Sequence, residues 1–155
     1  MSDSLIIIPT YNEKENIEKI IRKVFSLEKI FHILVVDDCS PDGTAKIVKN
    51  LQLEFPEQLH IEERSGKLGL GTAYIHGFKW ALQKDYQFIF EMDADFSHNP
   101  DDLIKLYSAN FENKGDLAIG SRYVKGVNII NWPMSRLLMS FFASKYVKLI
   151  TGMPI

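Results

Sequence analysis

Short runs of apolar residues alternate with segments of helical periodicity along most of the chain. Leu5-Ile6-Ile7-Ile8 is a largely β-branched run halted by Pro9, the signature of a buried strand. From about Lys14 to Leu27, Ile17, Ile20, Ile21 and Val24 recur at the spacing of one helix face. Ile33 to Val36 predicts a second buried strand that runs into Asp37-Asp38. Asp42 or Thr44 is placed to cap a helix carrying Ile47, Val48 and Leu51. His60-Ile61-Glu62 is a weaker strand, Thr72 to Leu82 a helix, and Phe88-Ile89-Phe90 another buried strand before Asp93. Asp101-Asp102 opens a helix containing Leu103, Leu106 and Tyr107, and Leu117-Ala118-Ile119 predicts a further strand. Strands alternating with helices imply βαβ units, hence an α/β fold with a mostly parallel sheet and helices on both faces.

In such sheets a ligand lies beyond the carboxyl ends of the strands, so the segments after each strand are where chemistry belongs. They are Pro9-Thr10-Tyr11-Asn12-Glu13, the stretch from Asp37 to Thr44, Arg64 through Gly71, Asp93-Ala94-Asp95 and Gly120-Ser121-Arg122-Tyr123. In extended backbone, Asp93 and Asp95 project to one side, and two hard oxygen ligands suit Mg²⁺ or Mn²⁺ completed by water and phosphate. The plainer reading makes them loop residues, one capping the helix near Asp101. Of the pair after the second strand, Asp37 is expected to hold the turn and Asp38 to face a ligand. An acidic pair after a strand is also similar to a response-regulator receiver. A receiver, however, has the pair after its first strand and a Lys-Pro after its last, and neither holds here.

Gly66-Lys67-Leu68-Gly69-Leu70-Gly71-Thr72 fails both strict phosphate-loop patterns, since Tyr74 stands where a dinucleotide fingerprint needs Gly or Ala. What remains is a lysine-bearing loop opening a helix N-terminus, either a diphosphate site or a plain loop. Arg122 and Arg136 are either solvated arginines or a bidentate grip on an anion. His32, His60, His76 and His98 show no metal-ligand spacing, and no Ser-His-Asp arrangement can be assembled from them.

Composition narrows the classes. The chain has 155 residues with 46% hydrophobic and 25% charged, the mix of one ordinary globular domain. The single Cys39 excludes a disulfide framework and a multi-cysteine zinc site, and a net charge of -2 argues against a general nucleic-acid binder. The start lacks the basic and long apolar regions of a signal peptide, so a reducing, cytosol-facing compartment is expected. Charge is unevenly spread: five basic residues and no acidic one after Asp116 leave the first 116 residues at -7. In that basic tail, 133–150 predicts a strongly apolar C-terminal helix with a narrow polar stripe of Arg136, Ser140, Ser144 and Lys148. Its charges disfavour a membrane span; an interfacial helix or one packed on protein remains.

Taken together, Pro9-Thr10-Tyr11-Asn12-Glu13, Val36-Asp37-Asp38-x-Ser40-Pro41-Asp42-Gly43-Thr44, Lys67-Leu68-Gly69-Leu70-Gly71-Thr72-Ala73-Tyr74, Met92-Asp93-Ala94-Asp95-x-Ser97-His98-x-Pro100 and Gly120-Ser121-Arg122-Tyr123 resemble family 2 glycosyltransferases of the GT-A (Rossmann-like) fold. Within these, the third and last strings are most similar to the dolichol-phosphate, or polyprenol-phosphate, mannosyltransferases. The resemblance implies an inverting transfer of mannose from GDP-mannose to a polyprenyl phosphate. It implies that Pro9, Tyr11, Glu13, Val36 and Asp38 line the guanosine pocket, and that Asp93, Ala94 and Asp95 meet the diphosphate, near Lys67. Asp93 and Asp95 would hold the Mg²⁺ or Mn²⁺, and Arg122 and Arg136 the acceptor phosphate, making Asp95, Arg122 and Arg136 the catalytic set. Residues 1–125 would form the nucleotide-sugar domain and 126–155 the start of an acceptor and membrane-proximal segment. A peripheral place at the cytosolic face of a membrane follows, with an anchoring subunit or a homo-oligomer left open and no nucleic-acid partner. Ser97 stands where some relatives have a metal-contacting Gln, and Val127-Asn128 where relatives usually carry glycines. Relatives also continue past Ile155, so a fragment with weak or no transferase activity and retained nucleotide binding is expected. A UDP-glucose enzyme and a noncatalytic nucleotide-binding fragment are the alternatives.

Overall fold

The computed structural model describes residues 2–120 and 134–152. Its contacts divide into two compact units, 1–116 and 117–155. The first contains β1 (Ser4–Thr10), α1 (Ile17–Phe25), β2 (His32–Asp37), α2 (Thr44–Glu54), β3 (Leu59–Glu63), α3 (Leu70–Ala81), β4 (Phe88–Glu91) and α4 (Asp102–Asn113). All strand pairs are parallel, in the order β3-β2-β1-β4.

Alternation along the central strands assigns their side chains to two cores. Ile6 and Ile8 of β1 and Ile33 and Val35 of β2 pack with Ile17, Ile20, Ile21 and Val24 of α1, Val48 and Leu51 of α2, and Leu103 of α4. Leu5 and Ile7, with Leu34 and Val36, meet Ala73 and Ala81 of α3 on the opposite face. Leu5 through Ile8 are all fully buried. A β-branched run of this kind fits only a strand covered on both sides, and each such side chain is worth roughly 1.5–3 kcal/mol on burial.

The order also fixes where a ligand can sit. The chain builds outward from β1 through β2 to β3, then crosses to the other side of β1 to lay down β4. The switch point, where such sheets open a crevice, lies between the carboxyl ends of β1 and β4.

Two expectations need correction. Leu117-Ala118-Ile119 is not a strand: it pairs with no strand among the described residues, and Leu117 and Ile119 are exposed. Three apolar residues form a strand only where a neighbour accepts their ladder bonds. Asp93-Ala94-Asp95 is not extended either, because β4 ends at Glu91 and Ala94-Asp95 form a turn. The helix expected from Thr72 begins at Leu70, since Gly69 adopts a φ of +97° that turns the loop into the helix start. The second unit contains α5 (Met134–Thr151). Among the described residues no helix is long and apolar enough to cross a membrane.

Gly77 sets how closely α3 approaches the sheet. A Cβ at this position would stand 2.6 Å from Cγ2 of the buried Ile7. Gly77→Ala is expected to lower stability in urea unfolding by up to about 2 kcal/mol, an overpacking cost of about 1–3 kcal/mol less a helix-propensity gain of about 1 kcal/mol.

Candidate functional site

The carboxyl ends of β1, β2 and β3 finish level, with Thr10 opposite Asp37 and Asp37 opposite Glu63. Asp37 is buried and takes the Thr10 hydroxyl at 2.7 Å, the Ser40 hydroxyl at 2.6 Å and the Ser40 N–H at 2.8 Å. It is the turn-holding residue that the sequence suggested. Successive backbone N–H groups of the β1 loop are then stitched onto the β2 loop. Asn12 donates to the Ser40 hydroxyl, Glu13 to the Thr44 hydroxyl and Lys14 to the Asp42 carboxylate.

Asp38 is also buried, and the structure gives it partners that the sequence did not reveal. Arg64, the first residue after β3, makes an ion pair with it in which both side chains are 7% exposed. The other carboxylate oxygen accepts the N–H groups of Leu68 and Gly69 at 3.0 and 3.2 Å. The same guanidinium donates to the Thr72 hydroxyl and the Gly69 carbonyl. Where Asp38 was expected to face a ligand, it here anchors the 64–69 loop and the start of α3. Arg64 was the residue missed, and its signal was available: of the two arginines in the first 116 residues, it is the one just past a predicted strand, with only Glu63 between. Lys67, on that loop, sits with Nζ 4.2 Å from the centroid of the Tyr11 ring, a cation–π contact joining two candidate residues.

On the other side of β1, the ladder reaches Ile7 opposite Glu91 and Met92 N–H to the Ile7 carbonyl. Asp93 follows, half-buried, and Ala94 is buried. Asp93 Oδ1 accepts the Tyr74 hydroxyl at 3.1 Å. Burial raises the Tyr74 phenol well above its ordinary range, and the charges of Asp93, Glu91 and Asp95 add to it. Both aspartates therefore act on one hydroxyl and lie in one neighbourhood. Asp95 accepts the Ser97 N–H at 2.9 Å. Burial opposes its charge, yet the bonds from Ser97 outweigh burial and hold this carboxyl below the usual range, with His98 adding to them.

Asn12, Cys39 and Phe96, just beyond β1, β2 and β4, have φ of +63°, +57° and +57°. For residues with a Cβ this is the left-handed region, a strain that collects where loops are shaped for binding. Pro9, next to last in β1, is partly buried, Val36 is fully buried in the α3-side core, and Tyr11 is exposed. The side chain of Glu13 accepts a bond from Asn16. Arg122 lies outside the described residues, as do Val127 and Asn128, and Arg136 is carried by α5. None of the candidate residues lines the 450 Å³ hollow at the opposite end of the strands, where His32 and His60 meet Trp80 and Tyr86.

An open parallel sheet with a switch point, whose strand ends carry carboxylates, a lysine loop and a helix N-terminus, defines an α/β protein of the kind that holds phosphorylated ligands at its rim. The family follows from comparison: the model described as glycosyl transferase family 2 matches residues 5–154, and the chain belongs to that family. It is 47% identical over 152 residues to the polyprenol monophosphomannose synthase of Mycolicibacterium smegmatis, covering 98% of this chain and 57% of that protein. It is 42% identical over 149 residues to the undecaprenyl-phosphate mannosyltransferase of Micrococcus luteus, covering 96% of this chain and 60% of that one. Among solved structures, residues 1–349 of S. aureus TarS in complex with UDP superpose with a TM-score of 0.64 at 27% identity, over 86% of this chain and 38% of that chain. The chain thus spans at most 60% of these curated relatives.

Two outcomes are expected from the rim. Arg64→Ala leaves the buried Asp38 without its cation, and unfolding in urea should show a loss of about 3–5 kcal/mol. The second concerns pH. Asp42, despite the opposing effect of burial, is held below its ordinary range by the Thr44 hydroxyl and amide and by the Lys14 amide. A carboxyl lowered in the folded state contributes its stability above the unfolded value, about 3.9, and loses it as pH falls through the folded one. Unfolding free energy should therefore be level above about pH 5 and decline below about pH 4, more shallowly in Asp42→Asn.

Proposed function

We propose that this chain is the donor-binding part of an inverting transferase that moves mannose from GDP-mannose to a polyprenyl phosphate. The observation that carries the reading is the 47% identity, across nearly the whole chain, to a polyprenol monophosphomannose synthase. The rim supports it. Tyr11, with Pro9 and Glu13, would form the nucleoside side of the pocket over the buried Val36 and Asp38, and Lys67, which stacks on Tyr11, would reach toward the diphosphate. Asp38 serves there through the loop it anchors, as the wall against which the base rests. Asp93, Ala94 and Asp95 at the switch point would face the diphosphate.

The donor set fits a divalent cation: two carboxylates, one fixed by Tyr74 and the other kept ionised by Ser97, are the hard oxygen ligands that Mg²⁺ or Mn²⁺ shares with water and phosphate. Bound there, such an ion would supply charge stabilisation for the departing diphosphate. Arg122 and Arg136 would hold the acceptor phosphate bidentately. The α5 sequence, with Phe141, Phe142, Leu149 and Ile150 beside Lys145 and Lys148, suits a helix lying at a membrane surface with lysines toward headgroups. Residues 1–125 would then bind the donor, and 126–155 would begin the acceptor side of a peripheral enzyme at the cytosolic face. An anchoring subunit or a second copy would extend that side.

Calorimetry with GDP, UDP and ADP, with and without Mn²⁺, tests the reading. GDP is expected to bind best and with Mn²⁺ dependence, and Asp95→Ala to weaken Mn²⁺-supported binding at least tenfold. Preferential binding of UDP would reject the mannose assignment, and indifference to nucleotide would reject the donor site.

A further inference from the structure

We infer that Tyr74 is a positioning residue that aims the Asp93 carboxylate at the cation of the donor site, its reach set by the contact of Gly77 with Ile7. The inference rests on the proposed reading of Asp93 and adds a residue to it. Tyr74 occupies the third position of the glycine-rich string, where a dinucleotide fold would need Gly or Ala for close packing. Here the close packing is moved one turn along: Gly77, three residues on and on the same side of α3, lies against Ile7 with no space for a Cβ. That approach lets the Tyr74 ring pack, partly buried, onto the core of Leu5, Ile7, Leu34 and Val36. Its hydroxyl then extends from α3 to the end of β4 and donates to Asp93 Oδ1 at 3.1 Å, across 19 residues of sequence.

Packing of the ring on that core holds the hydroxyl within reach of Asp93. Asp93 has left its strand and stands in irregular backbone after Glu91, where nothing in the ladder fixes its side chain. The phenol provides that restraint. It occupies Oδ1, so Oδ2, without a hydrogen-bond partner among the described residues, would be the oxygen free for a cation. Outer hydrogen bonds of this kind orient a ligating carboxylate, and their loss typically weakens metal binding 10- to 100-fold.

The test is Mn²⁺ binding followed by electron paramagnetic resonance on the whole chain, comparing wild type, Tyr74→Phe and Asp93→Ala, alongside GDP affinity without metal. Tyr74→Phe keeps the ring and removes only the donor. It is expected to raise the Mn²⁺ dissociation constant about tenfold, to leave metal-free GDP affinity unchanged, and to retain the wild-type circular dichroism spectrum. Unchanged Mn²⁺ affinity in Tyr74→Phe, while Asp93→Ala abolishes binding, would overturn the positioning role and leave the donor-site reading standing. Equal losses of Mn²⁺ and metal-free GDP binding would mark Tyr74 as a packing residue and overturn it as well. A wild-type chain that binds no Mn²⁺, or that binds it as well after Asp93→Ala, would remove the donor-site reading itself and this inference with it.

Discussion

A strand that ends in two consecutive buried carboxylates must find donors for both, and where it finds them shapes everything around it. Alternation turns Asp37 and Asp38 toward different neighbours. Asp37 draws in the hydroxyls of Thr10 and Ser40, tying the end of β1 to the turn after β2. Asp38 draws in Arg64 from the end of β3 and the amides that open α3. An unpaired charge at such depth would cost several kcal/mol. The β1, β2 and β3 ends and the start of α3 are thus gathered by the needs of two side chains. Only β4 reaches the rim by another route, through the backbone ladder with β1 and the Tyr74 bridge.

The backbone specials at the rim belong to the same device. Asn12 and Cys39 flank this knot, and Phe96 follows Asp95. Each left-handed residue carries of order 1–3 kcal/mol of strain, and each stands beside a fixed hydrogen bond. The Asn12 amide is held by the Ser40 hydroxyl, Cys39 lies between Asp38 and a Ser40 amide held by Asp37, and the turn at Asp95 is closed by the Ser97 amide. Side-chain acceptors on short polar residues let the chain reverse sharply at Asn12, Cys39 and Phe96 without glycine. The loops are consequently preset rather than loose, which would suit the diphosphate proposed for this site.

The elements with a strong period were legible in the sequence. Ile6 to Ile8, Ile33 to Val36 and the Ile17-Ile20-Ile21-Val24 stripe could not be accommodated any other way, and they fall where the pattern placed them. The failures share a cause. Leu117-Ala118-Ile119 has strand composition, yet a strand is a relation between two segments and the second is not readable from the first. Asp93 and Asp95 were given extended geometry because the run before them is a strand, whereas the Ser97 amide competes for Asp95 and turns the chain. The partner of Asp38 went unread because Arg64 stands 26 residues away in sequence. An acidic pair behind four buried apolar residues was itself the clue that a cation must come to meet it.

The charge state of the rim bears on which chemistry it can perform. A general base near neutral pH needs a group whose proton affinity lies close to that pH. Asp95 is displaced the other way, holding its negative charge to lower pH than an ordinary carboxyl. That suits a fixed ligand for a cation better than a proton acceptor near neutral pH. Two of the histidines, His32 and His60, sit at the opposite end of the strands, and His76 pairs with Glu62. A transfer to a hydroxyl would call for such a base. A transfer to a lipid phosphate would not, because that nucleophile arrives already ionised and asks only to be placed. The proposed acceptor is therefore the one for which a rim of fixed carboxylates, positioned by Arg64, Ser97 and Tyr74, is sufficient on the donor side.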